Sequence, residues 1–481
     1  MLVKAASQSL AEQLAGRFAE RIHSRLLAPG TRLPSVRQCA QQQGVSPSTV
    51  VAAYDRLLAQ GLVEAHRNRG FYIRNQAVAH VNKAQAAINS IASTQPSERA
   101  AATSGLPHVP VDATALIRGM FHSGSGQPQP GMGAFPPDWL QSNFMSAAVR
   151  RFCSGAELNA ASLSYGEPAG DASLRQALAS RLSALGIAAT PQQIITTVGA
   201  THALDIISRT LLRPGDYVMV EEPGWAVEFA RLDALGMRML PVPRGPDGPD
   251  LAVMARYCEL HHPKLFMSVS VFHNPTGHCL SLGQAHRLLQ LAHQHDFYVV
   301  EDDTYSHLAP DHATRLCALD GLQRSIYVSG FAKILAPGWR VGFLASPSAW
   351  FERLLDTKLL GTLTTPALFE KALAWCIDQG QLRRHAQQLR ARLDQARSRS
   401  VALALQAGCR FAAPPAGLFG WVDTGVDTDA LAQRMLDIGY LLAPGALFHA
   451  NHTPSTLMRI NFCTTQDVAF WQVFAEARAA M

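Results

Sequence analysis

The sequence predicts a multidomain chain: a small helical head that ends in a β-wing, joined by a linker to a large α/β unit built on a mostly parallel sheet. Three observations carry this. The positive charge is concentrated at one end, the head shows helix period with capping residues, and beyond it apolar strand-like runs alternate with helical stretches.

The chain has 481 residues, 48% apolar and 16% charged, an ordinary globular composition too long for one core. Residues 1–75 hold ten Lys/Arg against four Asp/Glu, and the remainder balances at 32 of each. The whole excess of +6 therefore sits in the head, which points to a polyanion partner for that module alone. No stretch has eighteen consecutive apolar residues and no charged-then-apolar leader opens the chain, so a soluble cytoplasmic protein without a membrane partner is expected. The eight cysteines are scattered singly, with neither a CxxC pair nor zinc-site spacing, and no metal is expected.

In the head, Leu10, Leu14, Phe18, Ile22 and Leu26 recur at every fourth position and form one helical stripe that stops before Pro29-Gly30. Pro34 starts a short helix through Ala40, and Gly44 breaks it. Ser46-Pro47 is a capping residue followed by proline at the first helical position. The third helix turns Val50, Val51, Tyr54, Leu57 and Leu58 inward. Two short strands come next, Leu62 to Ala65 and Gly70 to Ile73, around a loop with Arg67, Asn68 and Arg69. This order is helix, helix-turn-helix, then wing. In such a motif the second helix enters the major groove N-terminus first, which nominates Ser46, Ser48 and Thr49 for base edges. Arg37 is nominated for phosphate, and Arg67, Arg69 and Gly70 for the wing tip. The expected partner is double-stranded DNA.

Residues 76–110 lose periodicity and are rich in Ala, Ser, Gln, Asn and Pro, the composition of a linker. The body is taken as 111–481. Its Gly- and Pro-crowded stretch from Gly124 to Pro137 is expected to run over the surface. Beyond it, strand-like runs appear at Gln193 to Thr197, Tyr217 to Val220, Leu265 to Val271, Phe297 to Val300 and Ser325 to Val328. In sheets of this kind ligands sit at the carboxyl ends of the strands.

The polar residues just after these runs suit one cofactor. Lys333 stands in an apolar neighbourhood that lowers an ammonium pKa and frees an amine for a Schiff base. Arg340 suits a phosphate. Asp302 suits a protonated pyridine nitrogen, and Tyr305 and Asn274 suit a phenolate oxygen. Gly199-Ala200-Thr201 opens a helix and offers amides to a phosphate, and Trp225 is placed to stack on a ring. The cofactor such a set serves is pyridoxal 5′-phosphate. Taken singly, a loop lysine is usually solvated, an aspartate at a strand end is often a cap, and Asn274-Pro275-Thr276-Gly277 is a common turn. Order and spacing favour the joint reading, with core packing for Trp225 and an ion pair for Arg459 as the plainer alternatives.

The segments Leu33-Pro34-Ser35-Val36-Arg37 and Gly44-Val45-Ser46-Pro47-Ser48-Thr49-Val50, with Tyr54, Gly61 and Gly70-Phe71, resemble the GntR-type winged helix over residues 8–74. From about residue 130 onward the chain resembles fold type I, class I aminotransferases, a fold with a smaller C-terminal α+β subdomain. Head and body together resemble the MocR subgroup of GntR regulators. The resemblance implies a homodimer in which Tyr165, in Tyr165-Gly166-Glu167-Pro168-Ala169-Gly170, reaches the phosphate of the partner subunit. It also implies that Arg459, in Arg459-Ile460-Asn461-Phe462, grips a ligand carboxylate. Gly330 and Ala332 stand where the family usually carries hydroxyl residues, and Ser329 is displaced by one position. The implied function is a transcription regulator in which an amino compound or B6 vitamer, sensed at Lys333, alters DNA binding. An aminotransferase tethered by its head is the alternative, and a cofactor-free dimerisation fold is a third reading.

Overall fold

A computed structural model describes residues 8–23, 27, 30–66, 69–74 and 129–481. By their contacts, residues 1–127 with Ala432–Leu441 form one compact unit, and Pro128–Leu431 with Leu442–Met481 form another. The expected linker at 76–110, the boundary at 111, and Leu26, Arg67 and Asn68 lie outside the described residues.

The head has three helices, α1 (Leu10–His23), α2 (Val36–Gln43) and α3 (Pro47–Ala59), and a two-stranded wing, β1 (Val63–His66) and β2 (Gly70–Ile73). The start of α1 is fixed by Ser9, whose hydroxyl accepts from the Glu12 amide at 3.2 Å while the Glu12 carboxylate accepts from the Ser9 amide at 2.8 Å. α2 begins at Val36 rather than Pro34, because the Ser35 side chain caps the Gln38 amide, and it ends at Gly44 with φ 64°. Ser46 caps α3 and Pro47 occupies its first position, as the sequence predicts. Val50, Ala53, Tyr54 and Leu57 are fully buried, and the Tyr54 ring meets Phe18 and Phe71 edge-on while its hydroxyl donates to the Pro34 carbonyl. Val51 does not join them. It is 43% exposed, because the 100° step of the helix turns it off the face that Val50, Tyr54 and Leu57 share. The wing strands pair antiparallel from Val63↔Ile73 to His66↔Gly70.

The body centres on an eight-stranded sheet: β3 (Ile194–Val198), β4 (Tyr217–Glu222), β5 (Arg238–Gly245), β6 (Gly248–Pro249), β7 (Leu265–Ser268), β8 (Tyr298–Asp302), β9 (Ser325–Gly330) and β10 (Val341–Ala345). Their spatial order is β3-β10-β9-β8-β7-β4-β5-β6. The pairs β9–β8, β8–β7, β7–β4 and β4–β5 are parallel, while β10 runs antiparallel to both β3 and β9. Val218, Val220, Leu265, Val300, Ile326 and Val328 pack against Leu204, Ile206 and Ile207 of the helix Ala200–Leu211 in one of the apolar cores. β7 stops at Ser268 instead of Val271, because the Val269 amide turns out of the ladder to donate to the Glu221 carboxylate at 2.9 Å.

A second, four-stranded antiparallel sheet orders β11 (Arg410–Phe411), β12 (Phe419–Asp423), β14 (Leu457–Asn461) and β13 (Ala443–Pro444). With the helices Gln381–Gln406 and Val468–Ala479 it makes the smaller C-terminal α+β part. Residues 130–135, expected on the surface, are instead buried at Pro130, Gly131 and Phe135 and half-buried between them. Gly131 packs on the Leu442 carbonyl carbon, where a Cβ would fall at 2.5 Å, so only glycine allows this approach.

Candidate functional site

The strand order places the C-terminal ends of β9, β8, β7 and β4 side by side, and β3 ends nearby because β10 pairs it to β9. Asp302 ends its strand and Lys333, Asn274, Trp225 and Gly199 follow theirs, so the five gather along one edge of the sheet.

Lys333 Nζ donates to the Gly133 carbonyl at 2.5 Å. Burial lowers its pKa, Arg459 and Arg340 lower it further, and Asp302 opposes them, leaving it at about 8. An amine so placed is uncharged in about one molecule in ten at pH 7. Burial raises the Asp302 carboxyl to about 6, against hydrogen bonds from the Thr304 amide and hydroxyl and with added push from Glu228 and Asp303. Among the described residues Asp302 has no ion pair. It faces a cavity of about 40 Å³ that Trp225 and Glu228 also line. A buried carboxylate of this kind is relieved by a cation, which is what a pyridinium nitrogen supplies.

Arg340 adopts φ 54° and donates through Nη2 to the Val198 carbonyl at 3.1 Å. Its guanidinium lies against Gly199, which has φ 81° and precedes the helix Ala200–Leu211. A Cβ on Gly342 would meet the Ala200 amide nitrogen at 2.6 Å. Both glycines leave room for a cation and the helix N-terminus to converge, with the Ala200 and Thr201 amides among the orphan donors of a first turn. Ser329 does not supply a displaced hydroxyl to this seat, because its Oγ is buried and donates to the Asp303 carbonyl at 2.9 Å. The seat therefore relies on amides and Arg340. These donors and the Asp302 charge fit pyridoxal phosphate.

Arg459, only 3% exposed, donates to Asn274 Oδ1 at 3.0 Å and to the Gly131 carbonyl at 2.6 Å. It stacks between Phe419 and Phe448 at 4.4 and 5.2 Å and leaves Nε without a partner. Burial lowers its pKa to about 10, opposed by Tyr305, and it forms no ion pair among the described residues. Tyr305 is buried with its ring edge-on to Phe419, and burial raises its pKa. Trp225 partly packs on the core and partly lines the Asp302 cavity, so neither of its two readings excludes the other. Tyr165 stands apart, 81% exposed. Sequence reasoning missed Gly131, Gly133 and Thr304, whose part depends on contacts distant in the chain or on an ordinary-looking turn.

In the head, Arg37, Ser46, Ser48 and Arg69 are exposed, and Thr49 and Gly70 partly so. The Ser46 hydroxyl is held by its cap and by Ser48 and Thr49, each at 2.8 Å. Arg32, unmarked in the sequence, bridges Tyr72 through its backbone and lays its side chain beside Gly70 near the wing tip.

The head matches the model of the bacterial regulatory proteins of the gntR family over residues 10–73, and the body matches aminotransferase class I and II over 132–470. The probable rhizopine catabolism regulatory protein MocR of Rhizobium meliloti is 30% identical over 384 residues, covering 77% of this chain and 73% of that one. The chain belongs to the MocR subgroup of GntR regulators. This MocR-type chain also aligns along nearly its whole length with the HTH-type transcriptional regulator YdcR of Escherichia coli, at 28% identity and 94% of each chain. The MocR-type body shares its fold with a Pyrococcus horikoshii kynurenine aminotransferase, at TM-score 0.68 and 25% identity over 76% of this chain and 94% of that one.

Proposed function

We propose that this chain is a DNA-binding transcription regulator that holds pyridoxal 5′-phosphate and responds to an amino compound bearing a carboxylate. The convergence of Lys333, Asp302, Asn274 and Arg459 at one sheet edge, in a chain that also carries a gntR-type head, supports the reading. When bound, the cofactor supplies an aldehyde that condenses reversibly with amines and a ring that withdraws electrons.

This chain's own residues do the rest. Lys333 Nζ holds the cofactor and, with its lowered pKa, accepts and returns a proton near neutral pH. Asp302 keeps the ring nitrogen protonated by offering it a counter-charge in a buried place. Asn274 and Tyr305 hold the phenolate oxygen, and Trp225 packs on the ring. Gly199, Ala200, Thr201 and Arg340 hold the phosphate, completed by the partner subunit through an exposed tyrosine equivalent to Tyr165. Arg459 orients the ligand by its carboxylate between two phenyl faces.

Ligand binding shifts the body between two arrangements, and a cytoplasmic homodimer presents two heads to paired half-sites in double-stranded DNA. Arg37, Arg67 and Arg69 meet phosphates, with Ser46, Ser48, Thr49 and Gly70 at the groove. A second reading, turnover as an aminotransferase, is favoured by one observation: the cofactor-facing set is the kind an aminotransferase needs. A 2-aminoadipate transaminase of Thermus thermophilus is 30% identical over 57% of this chain. Visible absorption of the purified protein across a panel of amino acids, with binding to its own upstream DNA measured in parallel, separates the two. A spectral change coupled to DNA affinity is expected, while repeated turnover with a keto acid and no DNA response would establish the enzyme.

A further inference from the structure

Residues 130–134, marked by no motif, lie across the ligand site as a strap. Its Gly133 carbonyl accepts from Lys333 Nζ at 2.5 Å, and its Gly131 carbonyl accepts from Arg459 Nη2 at 2.6 Å. One short segment thus sits on the amine and the guanidinium together. A Cβ on Gly133 would come within 3.6 Å of Lys333 Nζ and 3.8 Å of Arg459 Nη2, so the strap backbone lies flat against both.

The strap is held from one side by a single residue. Asn461 has no exposed surface, and its Nδ2 donates to the Met132 carbonyl at 2.9 Å and to the Ala134 carbonyl at 2.8 Å. Its backbone amide donates to Pro130 at 3.0 Å, and its Oδ1 accepts from the Cys463 amide at 2.9 Å, which fixes the direction in which the side-chain amide faces. Asn461 stands two positions after Arg459 on β14, on the same face of that strand. One strand therefore carries both the cation and the clamp.

A carboxylate binds a guanidinium best through two parallel N–H donors. Arg459 has Nη1 on Asn274 and Nη2 on Gly131, and only Nε is without a partner. We propose that Asn461 is a positioning residue that clamps the strap as a carbonyl cap on Arg459, so that a ligand carboxylate binds by displacing the Gly131 carbonyl. This inference rests on the reading of Arg459 as the carboxylate site. In the loaded protein Lys333 Nζ is taken up by the cofactor, so the strap raises the threshold for amino acids through Arg459 and leaves that for simple amines alone, which makes it a selectivity device.

The test is calorimetry on the holo-protein with L-alanine and ethylamine as probes, comparing Asn461→Ser with the unaltered chain. Serine removes both strap donors, so L-alanine should bind roughly three- to tenfold more tightly while ethylamine is unchanged. Equal shifts for both probes, or no gain for L-alanine, would overturn the clamp. Should the variant fail to fold, hydrogen exchange on the unaltered holo-protein decides: amides of residues 131–134 should exchange faster with L-alanine bound and not with ethylamine, and no such difference overturns it. Arg459→Met separates the two readings. Loss of the preference for L-alanine in that variant, without a selective effect of Asn461→Ser, sinks the strap alone, whereas a preference that survives Arg459→Met sinks both.

Discussion

Arg340 lies so close to Gly199 that a Cβ on the glycine would fall 2.5 Å from Nη2 of the guanidinium. Gly199 also sits at φ 81°, a backbone that side-chain-bearing residues rarely adopt. Gly199→Ala is therefore expected to push Arg340 off the helix N-terminus and weaken pyridoxal phosphate binding at least about tenfold. Spectroscopic titration of the cofactor into the stripped protein checks this, and unchanged affinity would remove Arg340 from the phosphate seat.

Asp302→Asn has opposite effects on the empty and the loaded protein. The native carboxyl titrates at about 6, above its ordinary 3.8, so the native state binds more protons between those values and its stability falls as pH rises through them. Above pH 6 the cofactor-free protein carries that penalty in full. Removing the charge should stabilise it at pH 7.5 by up to about 3 kcal/mol, read by denaturant melts, while cofactor affinity falls. A variant that is destabilised when stripped would mean that the charge already has a counter-ion.

Lys333 gives the mirror case. Its native pKa of about 8 lies below the ordinary 10.5, so between the two the unfolded chain binds more protons and stability rises with pH. The stripped protein should gain thermal stability from pH 8 to 10.5, and Lys333→Met should flatten that part of the profile. Lys333→Ala should also lose the visible absorption of the holo-protein while keeping basal DNA binding. A band that persists and is reducible by borohydride would place the attachment elsewhere.

In the head, two polar residues should separate cleanly. Ser46→Ala removes the cap on the Thr49 amide and is expected to cost the head about 1 kcal/mol of stability. Arg37→Ala touches no described hydrogen bond and should leave stability alone, weakening DNA binding across sequences and lowering the salt slope by about 1. A full-strength slope in that variant would take Arg37 off the phosphates.

Much of the head is legible in the sequence because its signals are local. Ser35, Gly44, Ser46 and Pro47 act on residues within one turn of themselves, so spacing alone places the helix ends, and Val51 departs from the expected inward face only because adjacent positions differ by 100° of rotation. Five of the body's strands, β3, β4, β7, β8 and β9, are legible as apolar runs, while Pro-containing β5 and the Gly342-interrupted β10 are not, since proline and glycine both argue against a strand interior.

The sequence by itself determined which chemistry the chain carries: a basic capped head, and Lys333, Asp302, Asn274, Tyr305 and Arg340 in strand-end order, because residue type and local spacing are written there. Tertiary structure alone decided what those groups touch. Gly131 meets Arg459 across 328 positions and Gly133 meets Lys333 across 200, so no local pattern announces either bond. Residues 130–135 of the Gly- and Pro-rich stretch that reads as surface loop line the site because Leu442 and Asn461 offer them close backbone packing and hydrogen-bond donors.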